Sequence, residues 1–471
     1  MQAANSSSNN TPPLHVVILA AGMGSRMKSA RPKVLHEVAG KSLLGHVIDA
    51  SLALSPAQIH VVVGHGKEQV IESFANHDAA SQLNFVEQVE QRGTADAVKT
   101  AMPHITAPAH VLMLTADVPL IKTQTLQQVV DQLLGHSLCL LTANMDDPTG
   151  LGRIVRASDD TLVSIVEQKD ATPAQQCITE INSGIMAARA DRLAEWLDDI
   201  GDNNAQNEFY LTDIVALGVA AGDPITSVEV EHYNEVKGIN NRAQLAEIER
   251  IWQRDNAQEL MLNGVTLADP SRLDVRGNVT IGQDSFIDVN VVLEGPVAIG
   301  SYVHIGANCV IQGSTIANGA TVHEHSVLDG AVLGQDVNVG PFARLRPGTQ
   351  LAKGVRIGNF VETKNAIFDE GAKANHLSYV GDAHVGSNTN IGAGVITCNY
   401  DGANKHHTEI GKDVFVGSDS QLVAPVSLGD GATVGAGSTI TSDVGANQLA
   451  ISRGKQRQID GWQRPQKKPK K

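Results

Sequence analysis

The sequence predicts an α/β chain of two domains, a Rossmann-like domain on a mostly parallel sheet followed by a parallel β-helix of hexapeptide repeats. Three observations predict it. Short apolar runs alternate with amphipathic stretches from His15 to about Asn240, a stretch without Pro or Gly follows, and from about Val265 aliphatic residues recur every six positions. At 471 residues the chain is too long for one core, which fits two or three domains. Aromatic residues make up only 3% while glycines number 44, a pairing that points to stacked coils with many tight turns.

Residues 1–13, MQAANSSSNNTPP, are polar and lack the basic start and apolar core of a signal peptide. They are expected to form a disordered lead-in. The runs Val16–Ala20, Ile59–Val63 and Val111–Thr115 have the length and β-branched composition of strands. Leu43 to Leu54, Thr94 to Met102 and Thr125 to Leu134 have helical spacing. Strands alternating with helices imply βαβ units over residues 14–241, and ligands of such sheets sit beyond the carboxyl ends of the strands. That rule directs attention to Gly22–Arg26 and to Asp117. Residues 242–262 read as a linker helix, with Leu245, Ile248, Trp252 and Leu260 near one face.

Residues 263–471 carry the six-residue period. Ile410, Val416, Leu422, Leu428, Val434 and Ile440 are evenly spaced, as are Ile299, Ile305 and Ile311, and Val385 and Ile391. This period matches neither a helix nor a simple strand. It fits a triangular solenoid in which each hexapeptide forms one side and its aliphatic residue points inward. The period is expected to break at Gly340–Gly348 and again at Ile396–Lys405, and such breaks map to loops on the face of a solenoid.

The formal charge of −15 excludes a general affinity for nucleic acid or acidic membranes. The basic end Arg464–Lys471 reads as a solvated tail. No apolar run reaches membrane-spanning length, and the four cysteines lack metal-ligand spacing, so a reduced cytosolic chain is expected.

The turn Leu19-Ala20-Ala21-Gly22-Met-Gly-Ser-Arg26 follows the first strand, and Pro32-Lys33 follows it in turn. It is neither a P-loop nor a complete dinucleotide fingerprint. Glycines there let backbone N–H groups approach phosphate oxygens, and Arg26 and Lys33 would neutralise their charge. This LxxGxGxRM…PK pattern resembles the opening of the sugar-1-phosphate nucleotidylyltransferases. Gln88, Gly93-Thr94, Thr115-Ala116-Asp117, Gly152, Glu167, Asn182 and Asn240 extend the resemblance over nearly the whole first domain. One departure is Thr115, which stands where several members have Tyr and should alter contacts near the metal rather than the chemistry.

In the second half, Arg346, Lys364, His376, Tyr379, Asn390, Ala393, Asn399 and Tyr400 are similar to the acetyltransferase half of the bacterial bifunctional N-acetylglucosamine-1-phosphate uridylyltransferase/glucosamine-1-phosphate N-acetyltransferase family. The resemblance implies a Rossmann-like nucleotidylyltransferase domain followed by a left-handed parallel β-helix. It implies Mg²⁺ on Asp117 and Asn240, and Arg26 and Lys33 as clamps on the reacting phosphates. Leu19 to Gly22, Lys33, Gln88, Gly93, Thr94, Thr115 to Asp117, Gly152, Glu167, Asn182 and Asn240 would bind UTP and the UDP-sugar. Arg346, Lys364, Tyr379 and Asn390 would bind the acceptor sugar phosphate. Ala393, Asn399, Tyr400, Ser418, Ala436 and Arg453 would contact acetyl-CoA. Acetyl transfer needs a base near neutral pH, and of several histidines the family motif falls on His376. A homotrimer sharing the acetyl site is implied in the same way.

Two other readings fit the same residues. In ADP-glucose or GDP-mannose pyrophosphorylases a similar first domain acts alone and the β-helix regulates or assembles. A non-enzymatic scaffold binding sugar nucleotides is the third.

Overall fold

The computed structural model describes residues 12–467. The expected lead-in lies outside the described residues apart from Pro12 and Pro13, as do the last four residues of the basic tail. The contacts divide the chain into two units, one up to Trp252 and one from Gln253.

The first unit is built on a nine-stranded sheet. Its strands are β1 (Leu14–Leu19), β2 (Gln58–Val63), β3 (Leu83–Glu87), β4 (His110–Thr115), β5 (Leu138–Asn144), β6 (Arg153–Arg156), β7 (Leu162–Val166), β8 (Glu180–Arg189) and β9 (Ile225–Glu229). The order across the sheet is β9-β5-β8-β4-β1-β2-β3, with the β6–β7 hairpin attached through β8. The central strands read as near-continuous apolar runs because both faces are covered. Val16, Val17 and Ile18 are fully buried, and alternate ones enter two separate apolar clusters on opposite faces.

β1 runs parallel to both β2 and β4, as the alternating pattern predicts. β8, however, is antiparallel to β4 and β5, so the sheet is mixed. A register shift between Asn182 and Met186 bulges β8 where it faces β5. The consequence for function lies in the β1–β4 register, where Leu19 stands beside Thr115. The turns that follow the two strands therefore emerge side by side.

A helix spans Arg242–Leu262, and the division between the units falls inside it. Within the first unit Ile248 is buried against Met27, Val38, Leu43 and Ile239, with Leu245 and Trp252 at the edge of the cluster. Within the second, the buried Gln253 donates to the Val275 carbonyl and accepts from the Val275 N–H.

The second unit is a parallel β-helix. Ile287 pairs with Ile305, eighteen positions later, which is one coil of three hexapeptides. Val416 and Val434 repeat that spacing, while Ile305 and Val322 are seventeen apart. Every aliphatic residue of the six-residue series from Ile410 to Ile440 is buried, as are Ile299, Ile305, Ile311, Val385 and Ile391. One expected break is absent. Val339, Leu345, Leu351 and Ile357 keep the period straight through Gly340–Gly348 and are all buried. Leu345 is the inward residue, and the flanking Arg344 and Arg346 hide it from a reading by composition. The second break is real. Ile391 pairs with Val416, twenty-five positions on, so this coil carries seven extra residues around Asn399–Lys405.

Among the described residues, no helix is long and apolar enough to cross a membrane. Buried His60, on β2, has Nε2 3.1 Å from His15 Nδ1 and Nδ1 3.1 Å from Asn84 Nδ2, with the His104 ring stacked nearby. Burial, then His15 and His104, pushes its pKa down to about 4 from the ordinary 6.5. Between those values the unfolded chain binds the proton that the folded one refuses, so stability is complete above pH 6.5 and falls as pH drops towards 4. Urea unfolding of the first unit within the whole chain should show stability falling across that window. His60→Gln should flatten the dependence, and an unchanged slope would refute the assignment.

Candidate active sites

The turn after β1 holds Gly24 in the left-handed region at φ 59°, and a Cβ there would stand 2.6 Å from the Lys33 Cβ. The glycine thus lets Lys33 fold back over the turn. Lys33 Nζ donates to Asp117 Oδ2 at 2.6 Å and to Asn240 Oδ1 at 3.4 Å. Arg26 reaches the same Asn240 oxygen at 2.9 Å. Four residues far apart in the sequence therefore meet in one cation–oxygen cluster, which joins the β1 turn, the β4 turn and the segment before the long helix. Among the described residues no three His, Cys, Asp or Glu side chains gather in a metal cage. Asp117 and Asn240 instead offer two oxygens converging on a positive charge. This donor set fits Mg²⁺, which keeps waters and substrate phosphates as most of its ligands.

The cluster stands between two cavities. One, of about 310 Å³, is lined by Leu19, Ala20, Ala21, Gly22, Lys33, Gln88, Gly93, Thr94, Thr115, Ala116 and Asp117. The other, of about 360 Å³, shares Thr115 and Asp117 and adds Arg26, Asn182 and Asn240. Gly152 and Glu167 line neither. Gly152 accepts from the Asn182 N–H at 2.9 Å, and a Cβ on it would stand 3.3 Å from Glu167 Oε1. Burial raises the pKa of Glu167, and the Thr212 hydroxyl, which donates to it at 3.4 Å, only partly opposes that rise. Thr115 packs near Gly184, where a Cβ would lie 3.3 Å from its methyl group.

Sequence reasoning missed Gln91 and Glu208, which also line the first cavity. Gln91 Nε2 donates to the Ala21 carbonyl at 2.8 Å and braces the glycine-rich turn. Its spacing of three from Gln88 was the available signal.

In the second unit, the ladder turns residues distant in sequence into neighbours. Lys364 pairs with Gly381, and Glu362 with Tyr379. Arg346 donates to Glu362 at 2.9 Å. Asp382 accepts from Asn365 at 2.8 Å and from the buried Asn399 at 2.5 Å, and Asn399 also stands 3.4 Å from the Tyr379 hydroxyl. Burial alone would raise the Asp382 pKa, but these amides and the nearby Lys364 and Lys405 bring it below the usual value. The pKa of Lys364 is lowered by the amine of Lys405, then by burial and by Arg346. Lys405, at the end of the insert and bridged to Tyr400, was not anticipated. Three cations thus crowd one patch, an arrangement that attracts a phosphate.

His376 is exposed, and its Nδ1 lies 2.8 Å from Asn359 Oδ1 on the neighbouring coil. An amide oxygen only accepts, so the ring carries its proton on Nδ1 and leaves Nε2 with a free lone pair. Asn390 pairs with Lys373 and Phe415 on a different ladder from Lys364 and Tyr379. That ladder also carries His376.

Ala393, Ser418, Ala436 and Arg453 stack along one corner. The Ala393 carbonyl accepts from Asp419 N–H, the Ser418 carbonyl from Gly437 N–H, and the Ala436 carbonyl from Arg453 at 2.6 Å. Gly392 and Gly417 are needed here, because a Cβ on either would meet the backbone of the next coil within 2.7 Å. Tyr400 projects from the insert, largely exposed, its hydroxyl donating to the Gly402 carbonyl.

Comparison with known proteins bears on both units. Residues 16–182 match the MobA-like NTP transferase domain, residues 275–359 the GMPPB C-terminal domain, and residues 407–442 six repeats of the bacterial transferase hexapeptide. The chain is 55% identical over 455 residues to the bifunctional protein GlmU of Marinobacter nauticus, covering 97% of this chain and 99% of that one. It is 56% identical to the GlmU of Stutzerimonas stutzeri, covering 97% and 100%. The GlmU of Pseudomonas entomophila is 54% identical over 96% of this chain and 99% of its own.

The chain belongs to the GlmU family.

As a GlmU-family member it is a bifunctional enzyme of UDP-N-acetylglucosamine synthesis, with a nucleotidyltransferase domain and a hexapeptide acyltransferase domain. The match runs through both domains, which removes the readings with one activity or none. The GlmU-like turn at Gly93 also has a physical requirement. Its φ is 128°, and a Cβ would lie 2.4 Å from the Phe209 carbonyl oxygen, which the Ala95 N–H already holds. Gly93→Ala is expected to raise the KM for UTP at least about tenfold by displacing the wall of the first cavity. Steady-state pyrophosphate release measures it, and a KM within twofold of the parent would contradict the steric account.

Proposed function

We propose that residues 263–471 transfer the acetyl group of acetyl-CoA to glucosamine 1-phosphate. Residues 14–241 then transfer UMP from UTP to the N-acetylglucosamine 1-phosphate so formed. Both reactions use cytoplasmic metabolites.

In the uridylyl step a phosphate oxygen of the sugar phosphate attacks the α-phosphorus of UTP. The bond from that phosphorus to the bridging oxygen breaks, and pyrophosphate leaves. Little covalent help is needed, so alignment and charge neutralisation dominate. The single observation that carries this reading is the Lys33 ammonium held between Asp117 and Asn240 at the junction of the two cavities. The first cavity takes the nucleotide, with the glycine-rich turn on its phosphates and Gln88, Gly93 and Thr94 on the base. The second takes the sugar, near Asn182, with Gly152 and Glu167 shaping its wall. Arg26 and Lys33 follow the charge that moves to the leaving pyrophosphate. Mg²⁺ on Asp117 and Asn240 would supply further neutralisation of the phosphates.

In the acetyl step the amine of glucosamine 1-phosphate attacks the thioester carbonyl, the C–S bond breaks, and CoA leaves as the thiol. His376 Nε2 takes the proton that the amine gives up. The sugar phosphate is held by Arg346, Lys364 and Tyr379. Acetyl-CoA lies along the corner of Ala393, Ser418, Ala436 and Arg453, with Asn399 and Tyr400 at the insert. The Ser418 N–H or hydroxyl would stabilise the oxyanion.

Asp117→Ala should lower uridylyl transfer by at least about a hundredfold and leave acetyl transfer intact. His376→Ala should do the reverse, by about 100- to 10,000-fold. Product assays with both substrate pairs read the two outcomes together. Loss of both activities in either variant, or of neither, would sink the two-site assignment.

The match to GlmU relatives and to hexapeptide repeats supports a homotrimer whose acetyl site is completed by a neighbouring copy, with Arg346 and Asn390 on different ladders of the solenoid. Arg346→Ala and Asn390→Ala chains, each inactive in acetyl transfer, are then expected to complement when co-expressed. About a quarter of the sites would combine two intact faces. No recovery in mixed assemblies would exclude a shared site.

A further inference from the structure

Gln88 follows β3, is 5% exposed, and lines the first cavity beside the glycine-rich turn. Its Nε2 donates to the Gly93 carbonyl at 3.1 Å and to Asp96 Oδ2 at 2.9 Å. Both partners are oxygens that only accept, so the end of the amide that faces them has to be the NH₂, and its two hydrogens are both engaged. The remaining polar atom, Oε1, is an acceptor.

Asp96 holds this orientation from the first turn of the helix Thr94–Ala101. Its other oxygen, Oδ1, accepts from Arg92 at 3.0 Å, and Arg92 is a donor only. The sequence of roles runs one way: Arg92 donates, Asp96 accepts twice, Gln88 donates, and Gln88 Oε1 is left for a ligand. The side chain of Asp96 is 15% exposed, so water competes little for these bonds. Asp96 does not line the cavity itself, and any effect on the nucleotide passes through Gln88.

We propose that Asp96 is a specificity-determining positioning residue, which fixes the Gln88 amide with its carbonyl oxygen towards the base and so selects a pyrimidine offering N3–H. Uracil presents that N–H between two carbonyls. Cytosine presents a lone pair at N3, which would face the Gln88 oxygen in the same seat. A site built around one hydrogen-bond direction rejects the analogue of opposite direction, because a buried polar atom is left unpaired. The proposal rests on the reading that the first cavity seats the UTP base.

The test compares kcat/KM for UTP and CTP in the full-length enzyme and two variants. Asp96→Asn keeps the shape of the side chain and its bond to Arg92. Arg92 then claims the new amide oxygen, so an NH₂ group faces Gln88 and demands an acceptor. The Gly93 carbonyl still calls for Nε2, so the Gln88 amide is pulled both ways and presents Nε2 to the base for part of the time. The preference for UTP over CTP is expected to fall about tenfold, with use of CTP rising in absolute terms. A merely structural defect would lower both substrates together. Gln88→Met removes the polar end and should reduce the same preference. A UTP/CTP ratio within twofold of the parent in Asp96→Asn, with the ratio reduced in Gln88→Met, overturns the role of Asp96 while the base site stands. An unchanged ratio in both variants overturns the placement of the base and this proposal with it.

Discussion

In a parallel ladder, whatever follows one strand comes to lie beside whatever follows the next, and both active sites depend on this constraint. In the first unit the pairing of Leu19 with Thr115 sets the turn Ala20–Gly24 against Ala116–Asp117. Those turns place Asp117 and the glycines together, and Lys33 folds back over the first turn to meet Asp117. In the second unit the same constraint acts coil after coil. Ala393, Ser418, Ala436 and Arg453 share one corner because Ile391, Val416, Val434 and Ala450 share one ladder. Antiparallel pairing would send alternate turns to opposite edges and scatter both sets.

Electrostatics then makes these frames selective. The chain carries a net charge of −15, yet each site gathers its cations. Arg26 and Lys33 converge on Asn240, and Lys364 and Lys405 gather near Asp382, with Arg346 close to Lys364. The acidic or amide oxygens among them matter as much as the cations. Without Asp117 and Asp382 the like charges would repel one another, and the side chains would spread into solvent. A phosphate entering either cluster meets groups that are already held in place, which lowers the cost of ordering them on binding.

Much of this was legible in the sequence, for identifiable reasons. The solenoid announced itself because inward residues must repeat at each side, and Ile410 to Ile440 do so without interruption. The turn after β1 was legible because glycine, arginine and lysine are packed into fifteen residues. The misreading at Gly340–Gly348 has a physical source. A solenoid side needs only one inward residue, so Leu345 keeps the coil intact while Arg344 and Arg346 face outwards. The antiparallel course of Glu180–Arg189 was not legible, since a strand's direction depends on partners rather than on its own residues. Gln91, Asp96 and Lys405 were missed for a related reason. Each acts through a contact that no local pattern encodes: Gln91 with the Ala21 carbonyl, Asp96 with the end of Gln88, and Lys405 with Lys364.

The same logic reaches His376, the proposed base. A histidine can serve as a base only through the nitrogen that lacks a proton, and that choice belongs to its neighbour. Asn359 makes it here, by accepting from Nδ1. The two residues meet because they are register partners on consecutive coils. A change at Asn359 to a side chain that donates would reverse the tautomer and turn the free nitrogen into a donor, without moving the ring. The solenoid therefore does more than carry the proposed acetyl site. By stacking position upon position it sets which atom of the base is free to react.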